Sequence, residues 1–508
     1  LLGDVRSRAS RRGLRGATFA AAAIAAAGLV ACNALLDLGA YHVDEADGAA
    51  PGGGGDGGLA GPCAPDAAPN DAGCYECAPQ NDKQLLNACT KAQCVTFDDA
   101  RLAKLIPADG KLPAYPANGP FDAGPILNPD AGAVPNCAAI NSSPVVYVTG
   151  TAKPFVSSLA SALFAAPDPI TIVYVGRTSC VGVDAILNST ATPPGTVASY
   201  FDSGGNEQKC VIGADDAGGP TFTQIGVSDV FATTCFQLPN GIPKDMSDFP
   251  GPVQSMTFAV PKASTQTAIS ANAAYFVYGF GGAAGLAPWT DDAFIYKRNP
   301  TSGTSQLIAP GIGVRVEDWK GIDSISSSTM ITKLTSSTAP EKTIGVVADT
   351  DITDTLTQKI GVLAFKYQGQ SCAYYPDSTQ TAKDKNNTRD GHYALWGPFH
   401  FFAKIDTGGN IRDAAASKVI NYLTGRTPPP NGLDLIQVEA TLNLVPLCAM
   451  HVTRSTEMGP LTPAAPPNAC GCKFEQIATG HTDCKACKVS GDCPSDKPTC
   501  SFGYCEPQ

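Results

Sequence analysis

The chain has 508 residues, a formal net charge of −11 and only 16% charged residues, with 52 glycines and 41 prolines. That length holds one large core or two to three domains. The acidic balance argues against nucleic acid as a partner, and the loop-forming composition suits an extracytoplasmic protein better than a helical cytosolic enzyme.

In chain order, the first segment is the most specific. Five arginines (Arg6, Arg8, Arg11, Arg12, Arg15) precede an Ala-rich apolar run over residues 17–31. The run is short for a bilayer span and predicts a signal peptide over residues 1–31. Its end, Leu29-Val30-Ala31-Cys32, resembles the lipobox of bacterial lipoproteins. That resemblance implies lipid attachment at Cys32 and a membrane-anchored protein of the cell envelope. Asn33 stands where an Asp would signal inner-membrane retention, which favours the outer membrane or the surface. "SRRGL" (10–14) is also similar to a twin-arginine export motif; Sec and twin-arginine routes both stay open. Residues 32–62, with "GAAPGGGGDGGLAG", read as a flexible tether.

There are 19 cysteines. Assigning Cys32 to lipid leaves 18, which can pair completely in an oxidising compartment. They fall into an N-terminal group (63–139), a scattered middle group and a C-terminal group. Residues 466–508 are too polar to bury a core of their own and predict a disulfide-stapled module. "CKAC" (484–487) has zinc-ligand spacing, but in a chain this rich in cysteine disulfides are the expected state, and no cofactor or metal is expected.

Residues 140–465 alternate strand-like and helix-like stretches. "VVYV" (145–148) precedes "PFVSSLASALFAA", in which Phe155, Leu159 and Leu163 share a helical face. "ITIVYV", "VGVDAIL" and "FTQIGVSD" follow, then "QSMTFAVPK", "SANAAYFVYGF", "AFIYKR" and "TIGVVA". This predicts an α/β protein with largely parallel sheets, whose ligands bind at the C-terminal ends of strands. Four strands close on small, hydroxylic or glycine residues: Thr149-Gly150-Thr151-Ala152, Gly176-Arg177-Thr178-Ser179, Ser228-Asp229, and Arg298 followed by Ser302-Gly303-Thr304. Helix N-termini at such points favour an anion. The plainer alternative is that these Ser and Thr residues simply cap helices.

"RNPTSGTS" (298–305) resembles the R-x-x-x-S-G-T ligand motif of the phosphate-binding proteins of ABC transporters. "YVGRTSCVGV" is similar to that family's Y-x-G-x-G-S-x-x-G stretch, "IGVSD" to its G-A-S-D segment, and "VTGTAKP" more loosely to its first helix start. The resemblance runs from about residue 145 to about 447. It implies a two-lobed type 2 periplasmic binding-protein fold over residues 140–465, here with disulfide-rich terminal segments. It also implies inorganic phosphate or a related oxyanion as ligand, a monomer, and an ABC permease as partner. Thr151, Ala152, Ser179, Asp229, Arg298, Ser302, Gly303 and Thr304 are the implied ligand-binding residues. Pro300 departs from the family, whose members often carry an acid there, and Thr178 replaces a glycine.

The residue types suit that role. Arg298 offers planar, permanently charged donors, and the hydroxyls add donors without bulk. A carboxylate at Asp229 can accept the proton that hydrogen phosphate keeps and sulfate lacks. Asp229 as a helix cap or an internal ion-pair partner of Arg298 stays open as an alternative. The five histidines are scattered, no G-x-S-x-G nucleophile motif is present, and "GFGGAAG" (279–285) follows a helix-like run rather than a strand. Binding is therefore expected rather than catalysis. The alternative function is a surface lipoprotein that uses the same shell for adhesion, sensing or a protein partner.

Overall fold

The computed structural model describes residues 60–118, 134–140, 144–202, 204–213 and 220–507. The signal peptide, Cys32 and nearly all of the tether lie outside these residues. The apolar run after residue 144 forms strand β1 (Val145–Gly150), followed by helix α1 (Lys153–Phe164). Phe155, Leu159 and Leu163 of α1 are buried, the face that their three- and four-residue spacing predicts. Strand β2 (Thr171–Gly176) is buried along almost its whole length, as a strand covered on both faces must be. Helix α2 (Ser179–Leu187), strands β3 (Val197–Phe201) and β4 (Glu207–Val211), and strand β5 (Ile225–Ser228) follow.

Strand β6 (Met246–Pro261) is the longest element of the sheet. After it come helix α3 (Ala271–Phe280), strand β7 (Tyr296–Arg298), helix α4 (Gly303–Ile312) and strand β8 (Ile322–Ser324). Helix α5 (Ser327–Thr335), strands β9 (Gly345–Ala348) and β10 (Ile360–Val362), and strand β11 (Trp396–Lys404) continue the chain. Helices α6 (Ala414–Leu423), α7 (Leu435–Thr441) and α8 (Gly471–Thr479) close it.

The fold is mixed α/β. Among the described residues the main sheet has nine strands in the order β9-β6-β11-β5-β1-β2-β3-β4, with β10 also on β6. The expectation of largely parallel sheets needs correction. Only β5, β1 and β2 run parallel within it, while β11, β6, β9, β10, β3 and β4 pair antiparallel to their neighbours. β7 and β8 form a separate parallel pair. The physical reason lies in the connections. β3 and β4 are joined by a short hairpin, which forces antiparallel pairing, whereas β1 and β2 are separated by a crossover helix.

Two large apolar cores flank this sheet. One holds Phe155, Leu159, Ile172, Val227, Phe401 and Ile420; the other holds Phe258, Phe276, Trp289, Leu307, Trp319 and Phe365. β6 belongs to both: its first half pairs with β11, and Met256–Ala259 pair with β9. β11 likewise starts at Trp396 in the second core and runs through Phe399 and Phe401 in the first. The chain therefore passes from one core to the other on β6 and β11. The aromatic stretch 389–402 serves packing at this crossing.

All 18 described cysteines pair. The pairing does not respect the three groups seen along the sequence. Cys94 bridges to Cys372, and Cys137 to Cys210. Leu102, Leu105 and Ile106 of the N-terminal segment pack on the second core, as does Phe474 of α8. In the C-terminal tail the sulfurs of Cys487, Cys493 and Cys505 lie within 4.8 Å of one another, but each is in a disulfide and offers no thiolate. No described helix is long and apolar enough to cross a membrane.

Candidate functional site

β1, β2 and β5 end side by side, so residues 149–152, 176–179 and 228–229 meet at one edge of the sheet. The turn after β1 is tightly built. Gly150 has φ +136°, and a Cβ there would fall 2.0 Å from the Val227 carbonyl oxygen, so only glycine fits. Ala152 follows with φ +64°, an uncommon left-handed conformation for a residue with a Cβ. The Tyr174 hydroxyl donates to the carbonyls of Gly150 (2.7 Å) and Thr151 (2.8 Å) and fixes the turn's shape. Tyr174→Phe should leave both carbonyls without that donor and cost about 1–2 kcal/mol of stability. Urea unfolding would measure this; an unchanged midpoint would show that the turn holds itself.

Asp229 is the centre of the cluster and only 6% exposed. Its Oδ2 accepts from the Ser179 hydroxyl at 3.2 Å and the Thr151 hydroxyl at 3.4 Å. Its Oδ1 is buried and has no hydrogen-bond partner. Gly303, at the start of α4, lies directly against this carboxylate. A Cβ at 303 would sit 2.3 Å from Ser179 Oγ and 2.5 Å from Asp229 Oδ2. Gly303→Ala should therefore push α4 away from Asp229. Overpacking of this kind typically costs about 1–3 kcal/mol. Urea unfolding measures this, and a midpoint equal to wild type would show that α4 tolerates the methyl group without moving.

Burial is the main influence on Asp229 and pushes its pKa up to about 7. The Ser179 hydroxyl opposes this, the charge of Asp351 adds to it, and Thr151 and Arg298 draw it back down. Arg298 sits at the end of β7. Burial lowers its pKa, while Asp351, Asp229 and Asp323 raise it. Its Nη1 donates to Ser327 Oγ at 2.8 Å, and its Nε is buried without a partner. It thus feels three carboxylates but forms no ion pair within 4.0 Å with any described one.

The helix starts differ in one respect. α3, α5, α6 and α7 are each capped by their own side chain, from Ser270, Ser326, Asp413 and Asp434. α1, α2 and α4 have no side-chain cap: Ala152, Thr178 and Ser302 occupy their N-cap positions without that bond. Thr178 Oγ1 donates to Thr301 Oγ1 at 3.0 Å instead. The first N–H groups of a helix have no acceptor within it; α8 also lacks a side-chain cap, but its Cys472 N–H donates to Glu506, and at the α2 start the Cys180 N–H donates to the Thr301 carbonyl at 3.4 Å. Ser302 and Thr304 are buried at 4% and 3% exposure at the α4 start.

The structure thus brings Thr151, Ser179, Asp229 and Gly303 into contact, with Ala152, Ser302 and Thr304 on the same helix starts. Arg298 is coupled to Asp229 through charge rather than contact. A cavity of about 350 Å³ lies away from them, beside Asp99, Ser270 and Lys366, where Asp99 and Lys366 pair at 2.7 Å. Sequence reasoning missed Ser327, Asp323 and Asp351, which surround the guanidinium. The acidic turn Asp349-Thr350-Asp351 directly after "TIGVVA" was a usable signal for the last of these, since β9 ends there.

No family model and no curated protein matches the chain. Solved structures overlap it in part. A Clostridium perfringens protein assigned as a phosphate ABC transporter substrate-binding protein, with phosphate bound, is 10% identical at a TM-score of 0.41. The overlap covers 60% of this chain and 99% of that one. An ABC-type phosphate transport receptor from Vibrio cholerae is 12% identical, with a TM-score of 0.38 and coverage of 59% and 99%. A DING protein is 14% identical, with a TM-score of 0.39 and coverage of 59% and 91%. Overlap this slight says nothing of ligand or family membership.

Proposed function

We propose that the protein binds an oxyanion, phosphate first, between its two lobes. One observation carries the reading: three helix starts without side-chain caps meet around the buried Asp229 carboxylate, whose Oδ2 takes the Thr151 and Ser179 hydroxyls and whose Oδ1 has no partner. Anions favour such helix starts because free N–H groups and the macrodipole both point at them. An unpartnered Asp229 Oδ1 asks for a donor, and a protonated oxyanion supplies one. Thr151, Ala152, Ser179, Ser302, Gly303 and Thr304 would form the cradle, and Arg298 would turn from Ser327 to the ligand. The motif resemblance of residues 145–447 supports the same assignment.

The wider proposal is a monomeric, lipid-anchored solute-binding protein of the bacterial envelope, attached at Cys32, that delivers its ligand to an ABC permease. The cysteine-rich ends favour a second reading, in which the same shell senses or adheres without transport. Titration calorimetry of the oxidised protein with phosphate, sulfate and small carboxylates tests the common core of both. Phosphate should bind and sulfate should bind far more weakly. Absence of heat and of thermal stabilisation with every oxyanion would remove the proposal.

A further inference from the structure

We infer that the loop 448–470 is a latch that holds the two lobes together beside the β6–β11 crossing. The Cys448–Cys470 disulfide closes this loop on itself, and the Cys470 N–H donates to the Cys448 carbonyl at 2.9 Å. Inside it, Arg454 is rooted at the crossing. Its guanidinium lies 4.0 Å from the centre of the Trp396 ring and donates to the Ala394 carbonyl at 3.1 Å.

Three residues further on, Glu457 reaches the segment that follows β5. Its Oε2 accepts from the Phe231 N–H at 3.0 Å and from the Thr234 hydroxyl at 3.1 Å. These donors follow immediately after Asp229, and the Cys180–Cys235 disulfide ties their segment to the start of α2 beside Ser179. Met458 reaches the second lobe. A Cβ on Gly311 of α4 would lie 3.5 Å from Met458 Cε. Gly397 of β11 marks the point where the parts converge. A Cβ there would meet Glu457 Oε1, Leu307 Cδ1 of α4 and the Asp229 carbonyl oxygen, all within 3.3 Å. Thr233, Thr234, Gln306, Pro310, Thr456 and Glu457 also line one cavity of about 520 Å³ between 231–234 and α4.

One five-residue stretch thus grips the segment after Asp229 with a carboxylate and α4 with a thioether. Any hinge motion on β6 and β11 that separates Asp229 from Gly303 must break one of these two grips. Lobe opening in this protein is therefore gated by Glu457, through a loop outside the 145–447 region that carries the ligand motifs.

Hydrogen exchange of the full, oxidised chain without ligand tests this. Glu457→Ala leaves the Phe231 N–H and the Thr234 hydroxyl unpaired. Exchange should then quicken about tenfold or more in residues 229–235 and in α4 together. The distant α6 should keep its wild-type rate. Glu457→Gln, which keeps a carbonyl acceptor, should fall between. Wild-type rates in both segments, or acceleration in only one of them, would overturn the latch. Should Glu457→Ala lose its native near-UV circular dichroism, Thr234→Val reads the same two segments by the same criterion. Inorganic phosphate added to wild type separates this from the oxyanion proposal. A wild-type protein indifferent to phosphate would sink that proposal and leave the latch to be decided by the ligand-free rates.

Discussion

If the proposed oxyanion site holds phosphate, Arg298→Ala should weaken its binding by at least about 2 kcal/mol, roughly thirtyfold, in titration calorimetry at neutral pH. The guanidinium is a cation whose charge acts on Asp229. With it gone, an incoming anion meets Asp229, Asp323 and Asp351 without compensation. Its charge-assisted bonds, about twice as strong as neutral ones, are also lost. Arg298→Lys separates the two contributions. It keeps the charge but not the planar fork, and should recover only part of the loss. If both variants bind phosphate as wild type does, Arg298 serves only to neutralise Asp351, and the ligand assignment fails.

Asp229→Asn should change stability, pH dependence and selectivity together. The folded carboxyl has its pKa raised to about 7, against about 3.9 in an unfolded chain. The folded protein therefore holds a proton that the unfolded chain has released between about pH 4 and pH 7. Stability is fully present below pH 4, falls as pH rises through this window, and levels off above 7. Each pKa unit corresponds to about 1.4 kcal/mol, so without ligand the Asn variant should gain on the order of 2–4 kcal/mol relative to wild type at pH 8. It should gain nothing near pH 4. Urea unfolding at the two pH values measures the difference, and equal differences at both would show that the carboxyl is not strained by burial. Selectivity should move as well. Sulfate brings no proton and needs Asp229 protonated, so its affinity for wild type should rise as pH falls below 7. In Asp229→Asn that slope should vanish and the phosphate-to-sulfate ratio narrow; an unchanged ratio would mean that Asp229 does not read the ligand's proton.

What the sequence made legible was local. "VVYV", "ITIVYV" and "IGVSD" declare strands by β-branched content, and the small residues that follow each declare a helix start. The cluster of Thr151, Ser179, Asp229 and Gly303 could be assembled because each member lies within a few residues of such a signal. Partner direction was not legible, since an apolar strand looks the same whether its neighbour is parallel or antiparallel. The full extent of β6 was hidden by Pro250-Gly251-Pro252, which argues against a strand interior. It is tolerated because the register with β11 slips there: Val253 faces Pro398 while Pro250 faces His400, a bulge at which a missing proline N–H breaks no regular ladder. Ser327 escaped because no local pattern links it to Arg298; the β7–β8 pairing brings it there.

The bridge between Cys94 and Cys372 spans 278 positions. A chain emerging N-terminus first exposes Cys94 long before its partner exists. Meanwhile Cys63–Cys77 and Cys74–Cys89, only 14 and 15 positions apart, can close at once. Cys94 must wait as a free thiol beside freshly made bridges, where thiolate attack on a neighbouring disulfide is the natural side reaction. Maturation of this protein thus calls for an oxidising compartment that also reshuffles mistaken bonds, since an oxidant alone would trap Cys94 with the wrong sulfur.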